Sequence, residues 1–176
     1  RKSRNRRGAT RPPPKPRMSS ALKKGHIEEI KAFFKRGRGV YIWGDNEPYY
    51  VDANCVSKAL FGAEMLGNVP GAQVVSRRRK RRGPGFLRHP VTVGLENLYE
   101  GVTIATIQKK SSLRPVMYGS GGNLVIAAYA RNGRRALMDG GFTRLYYKWD
   151  EAGTARYVKN AACWLANDDK RIQKKR

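Results

Sequence analysis

The sequence predicts an α/β domain, a three-layer sandwich built on a small, mainly parallel sheet with an antiparallel hairpin at its edge. Helix-like and strand-like segments alternate along residues 26–167, which is the order that covers a sheet with helices. The apolar run at residues 39–44 is typical of a strand buried on both sides. The dipeptide Asn132-Gly133 between two apolar runs predicts a tight hairpin.

The domain is predicted to begin with a helix and a strand. The helix is predicted because the apolar residues of segment 27–34 recur at helical spacing. Ser20 or Gly25 is expected to precede it. The strand at residues 39–44 follows two glycines, which stop the helix.

A second helix is predicted after this strand. Asp52 or Asn54 is expected to cap it, and apolar residues between 56 and 66 lie on one face. Residues 67–71 are rich in turn-forming residues, and residues 74–75 are predicted to form a short strand.

The C-terminal half is predicted to contain most of the remaining sheet. Residues 94–99 look like a short helix or turn, and the β-branched run 102–107 indicates a strand. Segments 124–130 and 135–138 form the predicted hairpin. A last helix is expected over residues 154–165, where apolar positions again follow helical spacing.

The positive charge is concentrated outside this domain. The chain has 37 Lys and Arg residues against 13 Asp and Glu residues, a net charge of +24. We predict a basic arm at residues 1–25, a basic surface loop at 76–85 within the domain 26–167, and a basic tail at 168–176. The remainder of the domain is nearly neutral. The residues predicted to bind nucleic acid are Arg1, Lys2, Arg4, Arg6, Arg7, Arg11, Lys15, Arg17, Arg77, Arg78, Arg79, Lys80, Arg81, Arg82, Arg88, Lys170, Arg171, Lys174, Lys175 and Arg176.

Such charge clusters predict a polyanionic partner. Nucleic acid comes first, followed by anionic membrane and acidic protein. Arginine suits phosphate because its guanidinium group can hold two phosphate oxygens at once. The sequence has no RNP aromatic pattern, zinc finger or heptads beside a basic region, so we expect backbone binding with little sequence readout. Charge alone does not distinguish RNA from DNA as the partner. The sequence has no apolar run of 18 residues, so it predicts no membrane-spanning helix.

The basic segments also have other interpretations. The central run is consistent with a nuclear localisation signal or a protease processing site. The acid-free arm, which contains arginine and serine, resembles the remnant of an organellar transit peptide, or else a disordered arm on a nucleic-acid-binding protein.

Few residues are candidates for catalysis or metal binding. Cys55 and Cys163 are too far apart in sequence to indicate a disulfide framework or a metal motif, and His26 and His89 supply no zinc spacing. Cys55 and His89 could form a thiolate–imidazole pair. The alternative is a buried cysteine and a turn at His89-Pro90. No cofactor is predicted.

Polar residues at two predicted strand ends form the second candidate. Asp45, Asn46 and Asp139 would meet at the carboxyl edge of a parallel sheet, where open α/β folds bind ligands. Acid–base or metal chemistry is one interpretation, and turn formation is the other. With Cys55 and His89, these residues are a candidate vestigial pocket. The glycine-rich segment 119–123 lacks the rest of a P-loop and is predicted to be an ordinary loop.

Four segments carry a family resemblance: residues 89–95 (HPVTVGL), 113–116 (LRPV), 133–142 (GRRALMDGGF) and 160–165 (NAACWL). Together they resemble the second half of a class I glutamine amidotransferase-like domain, as in trehalose-utilisation-type proteins and an intraflagellar-transport protein. The resemblance covers residues 26–167 and implies a flavodoxin-like α/β fold.

The departures from this family are informative. The resemblance implies one or two βα units before residue 26 that are not found there, so the sheet should be small or be completed by another chain. Cys55 lacks the flanking glycines of a nucleophile elbow, and His89 has no Glu two residues later. The family's catalytic residues are therefore not carried over.

These observations predict a non-catalytic, RNA-binding structural component of a large ribonucleoprotein, of the mitochondrial-ribosome type. Its expected partners are RNA, most simply ribosomal RNA, and neighbouring proteins, with no membrane. Its expected location is mitochondrial, with nuclear as the alternative. Two other functions stay open: a small-molecule hydrolase or amidotransferase using Cys55 and the strand-end acids, and a nuclear or virion DNA-binding protein.

Overall fold

The computed structural model describes residues 18–79, 83–149 and 152–168. The helices in these ranges are Lys24–Lys35 (α1), Val51–Phe61 (α2) and Thr154–Leu165 (α3). The strands are Val40–Trp43 (β1), Met65–Pro70 (β2), Val74–Ser76 (β3), Gly85–Phe86 (β4), Asn97–Tyr99 (β5), Thr103–Ile107 (β6), Arg114–Tyr118 (β7), Leu124–Arg131 (β8) and Arg134–Asp139 (β9). Short 3₁₀ segments lie at Pro90–Thr92 and Phe142–Leu145.

The main sheet is mixed and mostly antiparallel. Its strand order among the described residues is β1-β9-β8-β7-β4, and of these pairs β1 and β9 alone are parallel. The presence of three helices with this sheet in the described residues confirms the α/β class. The prediction of a mainly parallel sheet is wrong. The reason is that β7, β8 and β9 follow one another through tight connections, whereas parallel neighbours need a long crossover.

The hairpin prediction is confirmed. Asn132 has φ +52° and Gly133 has φ +73°, the two left-handed conformations that a type I′ turn requires. Arg131 lies opposite Arg134 on either side of this turn. The local chemistry of two residues thus sets the register of the two longest neighbouring strands in the sheet.

Two further strand pairs lie outside the main sheet. β2 pairs with β6 and β3 pairs with β5, both antiparallel. The turn predicted at residues 67–71 is wrong, because most of that segment belongs to β2. A bulge between Leu66 and Val69 accommodates Gly67, whose φ is +76°. The helix or turn predicted at residues 94–99 is replaced in its second half by β5.

Alternate residues of the main-sheet strands enter two different hydrophobic clusters. Ile42 of β1 and Met138 of β9 pack with side chains of α2, while Leu137 of β9 packs with Tyr157 and Trp164 of α3. Since neighbouring residues of a strand point to opposite faces, α2 and α3 lie on opposite faces of the sheet.

The caps of the first two helices differ from those predicted. The residue before α1 is Lys23, and its N–H donates to Nδ1 of His26 over 3.2 Å. Asp52 lies inside the first turn of α2 and accepts hydrogen bonds from the Ser20 hydroxyl at 2.5 Å and the Ala21 N–H at 2.9 Å. The hydrogen bond from Ser20 is the main cause that lowers the pKa of Asp52. These contacts attach the segment before α1 to the start of α2.

In the part of the chain that the structure describes, no helix is long and apolar enough to cross a membrane. In those same ranges, no three His, Cys, Asp or Glu side chains are grouped so that they could hold a metal ion.

Candidate nucleic-acid interface

The first half of the basic run leaves β3 and turns onto the main sheet. Arg77 forms a bridge to Phe86 of β4, and the N–H of Arg78 donates to the Phe86 carbonyl over 2.9 Å. The guanidinium group of Arg78 lies 4.5 Å from the ring centre of Tyr118. Arg77 and Arg79, on either side of it, are exposed. The backbone pairing therefore presents two arginine side chains to solvent and turns a third onto the protein.

A cavity of about 380 Å³ opens beside Arg77. It is bounded by β4, by the segment after it and by the loop that follows the 3₁₀ turn. Of the described residues that line it, Arg77 and Arg88 are cationic and none carries a carboxylate. Arg156 of α3 lies against this loop, because a Cβ placed on Gly94 would be 3.0 Å from one of its guanidinium nitrogens. Two exposed arginines thus line the cavity, and a third exposed arginine, from α3, lies against the loop beside it.

The wall of the cavity around His89 is held by a small hydrogen-bond network. Nδ1 of His89 accepts from the Val91 N–H at 3.3 Å, and the Thr92 hydroxyl accepts from the His89 N–H at 3.0 Å. The amide of Asn160 in α3 donates to the carbonyls of Val91 and Val93 at 3.3 and 2.8 Å. The cavity wall is therefore attached to α3 by hydrogen bonds.

His89 is held in its neutral form. Burial is the main cause that lowers its pKa to about 4, and the positive charges of Arg114 and Arg135 act in the same direction. The ring packs edge-on against Trp164 at 4.8 Å between centroids. Near neutral pH, the positive charge at the cavity thus comes from its arginines.

The strand-end residues are placed as the parallel pairing of β1 and β9 requires. Trp43 lies opposite Asp139, so Asp45 and Asn46 follow β1 at the edge where β9 ends. Asp45 is buried, and burial is the main cause that raises its pKa. It accepts the N–H of Asn46 at 3.0 Å.

Asp139 is fully buried and is engaged by donors on several sides. The guanidinium group of Arg144 donates to it, as do the Tyr157 hydroxyl at 2.7 Å and the Gly141 N–H at 3.0 Å. The Tyr41 hydroxyl lies 2.8 Å from that of Tyr157. Burial followed by the charge of Asp139 raises the pKa of Tyr157. Through these hydrogen bonds, Asp139 connects β9 to α3 and to the 3₁₀ segment Phe142–Leu145.

The five residues of the predicted pocket do not form one site. Cys55 lies in α2, which packs on one face of the sheet, whereas His89 contacts Trp164 of α3 on the other face. Asp45 and Asp139 are neighbours at the sheet edge. The separation has a simple cause, because the helix that carries Cys55 and the turn that carries His89 pack on opposite sides of the same strands.

Two features of this region were absent from the sequence-based prediction. Arg144 is fully buried, and its remaining nitrogens donate to the carbonyls of Tyr99 and Glu100 at 2.9 and 2.8 Å. An arginine five residues after Asp139 was the available signal. Arg156 lies against the loop beside the cavity only because α3 packs there, and no sequence pattern predicts this.

Part of the predicted interface lies outside the described residues. This applies to residues Arg1 to Arg17 of the arm, to Lys80, Arg81 and Arg82 of the loop, and to Lys170, Arg171, Lys174, Lys175 and Arg176 of the tail.

Comparison with known proteins adds information on the fold alone. No protein-family model matches the chain, and no curated protein matches its sequence. Its structure is similar to that of a cytoplasmic protein from Salmonella typhimurium LT2, with a TM-score of 0.50 and 12% identity, over 80% of this chain and 58% of that one. An exo-β-1,4-mannosidase from Opitutaceae bacterium strain TAV5 gives a TM-score of 0.45 and 12% identity, over 81% of this chain and 23% of that one. The chain thus spans less than two thirds of the length of either protein, and the first similarity supports a shared mixed α/β architecture.

Proposed function

We propose that this protein is a non-catalytic, RNA-binding structural component of a large ribonucleoprotein of the mitochondrial-ribosome type. The observation that carries the proposal is the cavity beside Arg77 and Arg88, whose described lining holds two arginines and no carboxylate. It lies next to the basic run in a chain with a net charge of +24.

The proposed mode of binding is contact with the phosphate backbone. Arg77 and Arg88 line the cavity, and Arg156 lies against the loop beside it. Arginine is the cation that best matches phosphate geometry, and guanidinium groups placed in this way could hold oxygens of one phosphodiester from different sides. The arm and the tail would extend the contact along the strand, with release of counterions at each neutralised phosphate. Such contacts fix position and carry no sequence information of their own.

Other aspects of the proposal rest on the sequence. The likeness of four segments to a class I glutamine amidotransferase-like domain supports descent from a catalytic fold that has lost its chemistry. The acid-free arm supports a mitochondrial location. A catalytic thiolate–imidazole pair is disfavoured because Cys55 and His89 lie on opposite faces of the sheet. The enzyme alternative, which uses Cys55 and the strand-end acids, is weakened because the buried carboxylate of Asp139 is engaged by Arg144 and Tyr157.

The test is the salt dependence of RNA binding by the full chain. Fluorescence anisotropy with a labelled RNA of about 20 nucleotides, over a range of roughly 50 to 300 mM salt, gives the slope of log K against log salt. We expect a steep slope for the wild type and a slope smaller by about 1 to 2 for the double variant Arg77→Ala/Arg88→Ala, since each lost phosphate contact removes about 0.7 to 0.9. The matched control is Arg36→Ala/Arg38→Ala, which removes two exposed arginines elsewhere.

An equal loss in both double variants would mean that net charge, and not the cavity, governs binding. A wild-type affinity that does not change with salt would contradict the proposal. Copurification of ribosomal RNA with the native protein would support the assignment to a ribosome-type particle, whereas copurification of DNA would favour the DNA-binding alternative.

A further inference from the structure

The strand β1 forms one edge of the main sheet. Among the described residues it pairs with β9 and with no strand on its other side. Edge strands present unpaired main-chain groups that can add a strand from another chain, and proteins usually cover them with charge, bulges or a helix. The four residues of β1, Val-Tyr-Ile-Trp, offer no such protection of their own.

The parallel pairing determines which main-chain groups of β1 face outward. The Gly44 N–H donates to the Asp139 carbonyl, and along a parallel pair alternate residues direct their N–H and C=O groups to the same neighbour. The groups of Ile42 therefore face β9, and those of Tyr41 and Trp43 face away from it. In the described ranges, no main-chain hydrogen bond reaches these outward groups.

An apolar cleft of about 600 Å³ runs along this edge. Every residue of β1 contributes to its lining, together with Ile30 and Phe33 from α1 and Ala53 and Val56 from α2. Phe33 is 44% exposed although it is a large apolar side chain. An extended segment laid against β1 would therefore find both main-chain partners and apolar contacts for every second side chain.

The charges at the two ends of the cleft differ in sign. Arg36 lines the cleft directly after the end of α1, and only three residues separate it from the start of β1. Glu29 lies two helical turns earlier, roughly 10 Å away along the axis, and also lines the cleft. Asp52 lines it too, at the start of α2 beyond the end of β1. One end is thus basic and the other acidic.

We propose that β1 is a docking site for an extended segment of a neighbouring protein, which adds a strand to the main sheet. The segment has apolar side chains at alternate positions, an acidic residue beside Val40 and a basic residue near Trp43. This proposal rests on the proposed function, since the partner is a protein of the same assembly. Its test is separate, because it involves no RNA contact.

Two other occupants fit less well. A second copy of the chain would bring together two molecules that each carry a net charge of +24. Residues 1–17 of the chain itself contain four prolines and no large apolar side chain, whereas an added strand needs N–H donors and alternating apolar residues.

Photo-crosslinking of the full chain in its own cells tests the occupant. Benzoylphenylalanine is placed at position 33, in the cleft, or as a control at the exposed Val74 on β3. We expect position 33 to crosslink to one segment of one other protein, with the pattern of side chains given above. A crosslink to a second copy of the chain, to RNA or to no molecule at all would overturn the proposal.

A synthetic peptide with the crosslinked sequence then tests the mode of binding. It should slow amide hydrogen exchange at Tyr41 and Trp43, whose N–H groups face outward. Phe33→Asp should weaken its binding at least about tenfold, and Phe33→Leu should largely restore it. Unchanged exchange at both amides would contradict strand addition. RNA binding by Phe33→Asp should equal that of the wild type. A failure of the docking proposal can therefore be distinguished from a failure of the proposed RNA-binding function.

Discussion

Arg144 donates a charge-assisted hydrogen bond to Asp139, and neither side chain has any exposed surface. Each charge has further partners, since Asp139 accepts from Tyr157 and Gly141 and Arg144 donates to two carbonyls. A buried ion pair of this kind is retained only when such bonds offset the cost of removing both charges from water. The pair therefore has a structural role at the strand edge where a ligand pocket was predicted.

Removing one partner of this pair should destabilise the fold strongly. Arg144→Met leaves the charge of Asp139 buried without its cation, and we expect a loss of about 3–5 kcal/mol in the free energy of unfolding. The double variant Asp139→Leu/Arg144→Met should lose less than the sum of the two single variants. Urea unfolding followed by circular dichroism measures both quantities. Arg36→Met, at an exposed position, should change stability by less than about 0.5 kcal/mol. Additive losses would mean that the two charges do not interact.

His89 should make stability depend on pH in the acid range. Its pKa is about 4 in the folded protein and 6.5 in the unfolded chain, so between these values the unfolded state binds more protons. The contribution of neutral His89 to stability is therefore complete well above pH 6.5 and is lost as pH decreases toward 4, a fall of about 3 kcal/mol. Urea titrations at several pH values measure this fall. His89→Asn keeps an acceptor for the Val91 N–H but cannot titrate, so the difference between the two proteins isolates His89. A fall of equal size in both would contradict the assignment.

The neutral state of His89 also predicts how RNA binding responds to pH. The cationic groups around the cavity are arginines, which keep their charge, so affinity at constant salt should not change between about pH 6 and 8. Anisotropy titrations of wild type and His89→Asn should agree throughout this range. If wild type alone bound more tightly toward the acid end of the range, His89 would be charged in the complex.

Alanine substitutions at two glycines should change the stability of the fold in opposite directions. Gly133 has φ +73°, and no atom lies within 4 Å of the position that a Cβ would occupy. Gly133→Ala therefore adds backbone strain alone and should cost about 1 kcal/mol. Gly25 lies within α1 with an ordinary φ, and no atom lies within 4 Å of the position that a Cβ would occupy. Gly25→Ala should therefore gain about 0.5–1 kcal/mol. Thermal unfolding of both variants gives the comparison. A stabilising Gly133→Ala would show that the turn can adopt another type.

Much of the local structure could be predicted from the sequence. The helices α1 and α3 and the strands β1 and β6 are predictable because apolar spacing or β-branching marks them directly. The hairpin at Asn132-Gly133 is predictable because few dipeptides tolerate two left-handed residues. By contrast, β2 is missed because its Gly67 and Pro70 suggest a turn, and only its pairing with β6 makes a bulged strand the better structure.

The accumulation of charge, the helical segments and the tight hairpin follow from amino-acid order alone, because each depends on residues that are close together along the chain. Three relationships are decided by the packing of the whole domain: β1 lies at an edge, Cys55 and His89 are on opposite faces, and Arg156 lies against the loop beside the cavity of Arg77 and Arg88. These relationships arise when distant segments pack to bury apolar surface. The free energy of that packing depends on three-dimensional neighbours that no local pattern specifies.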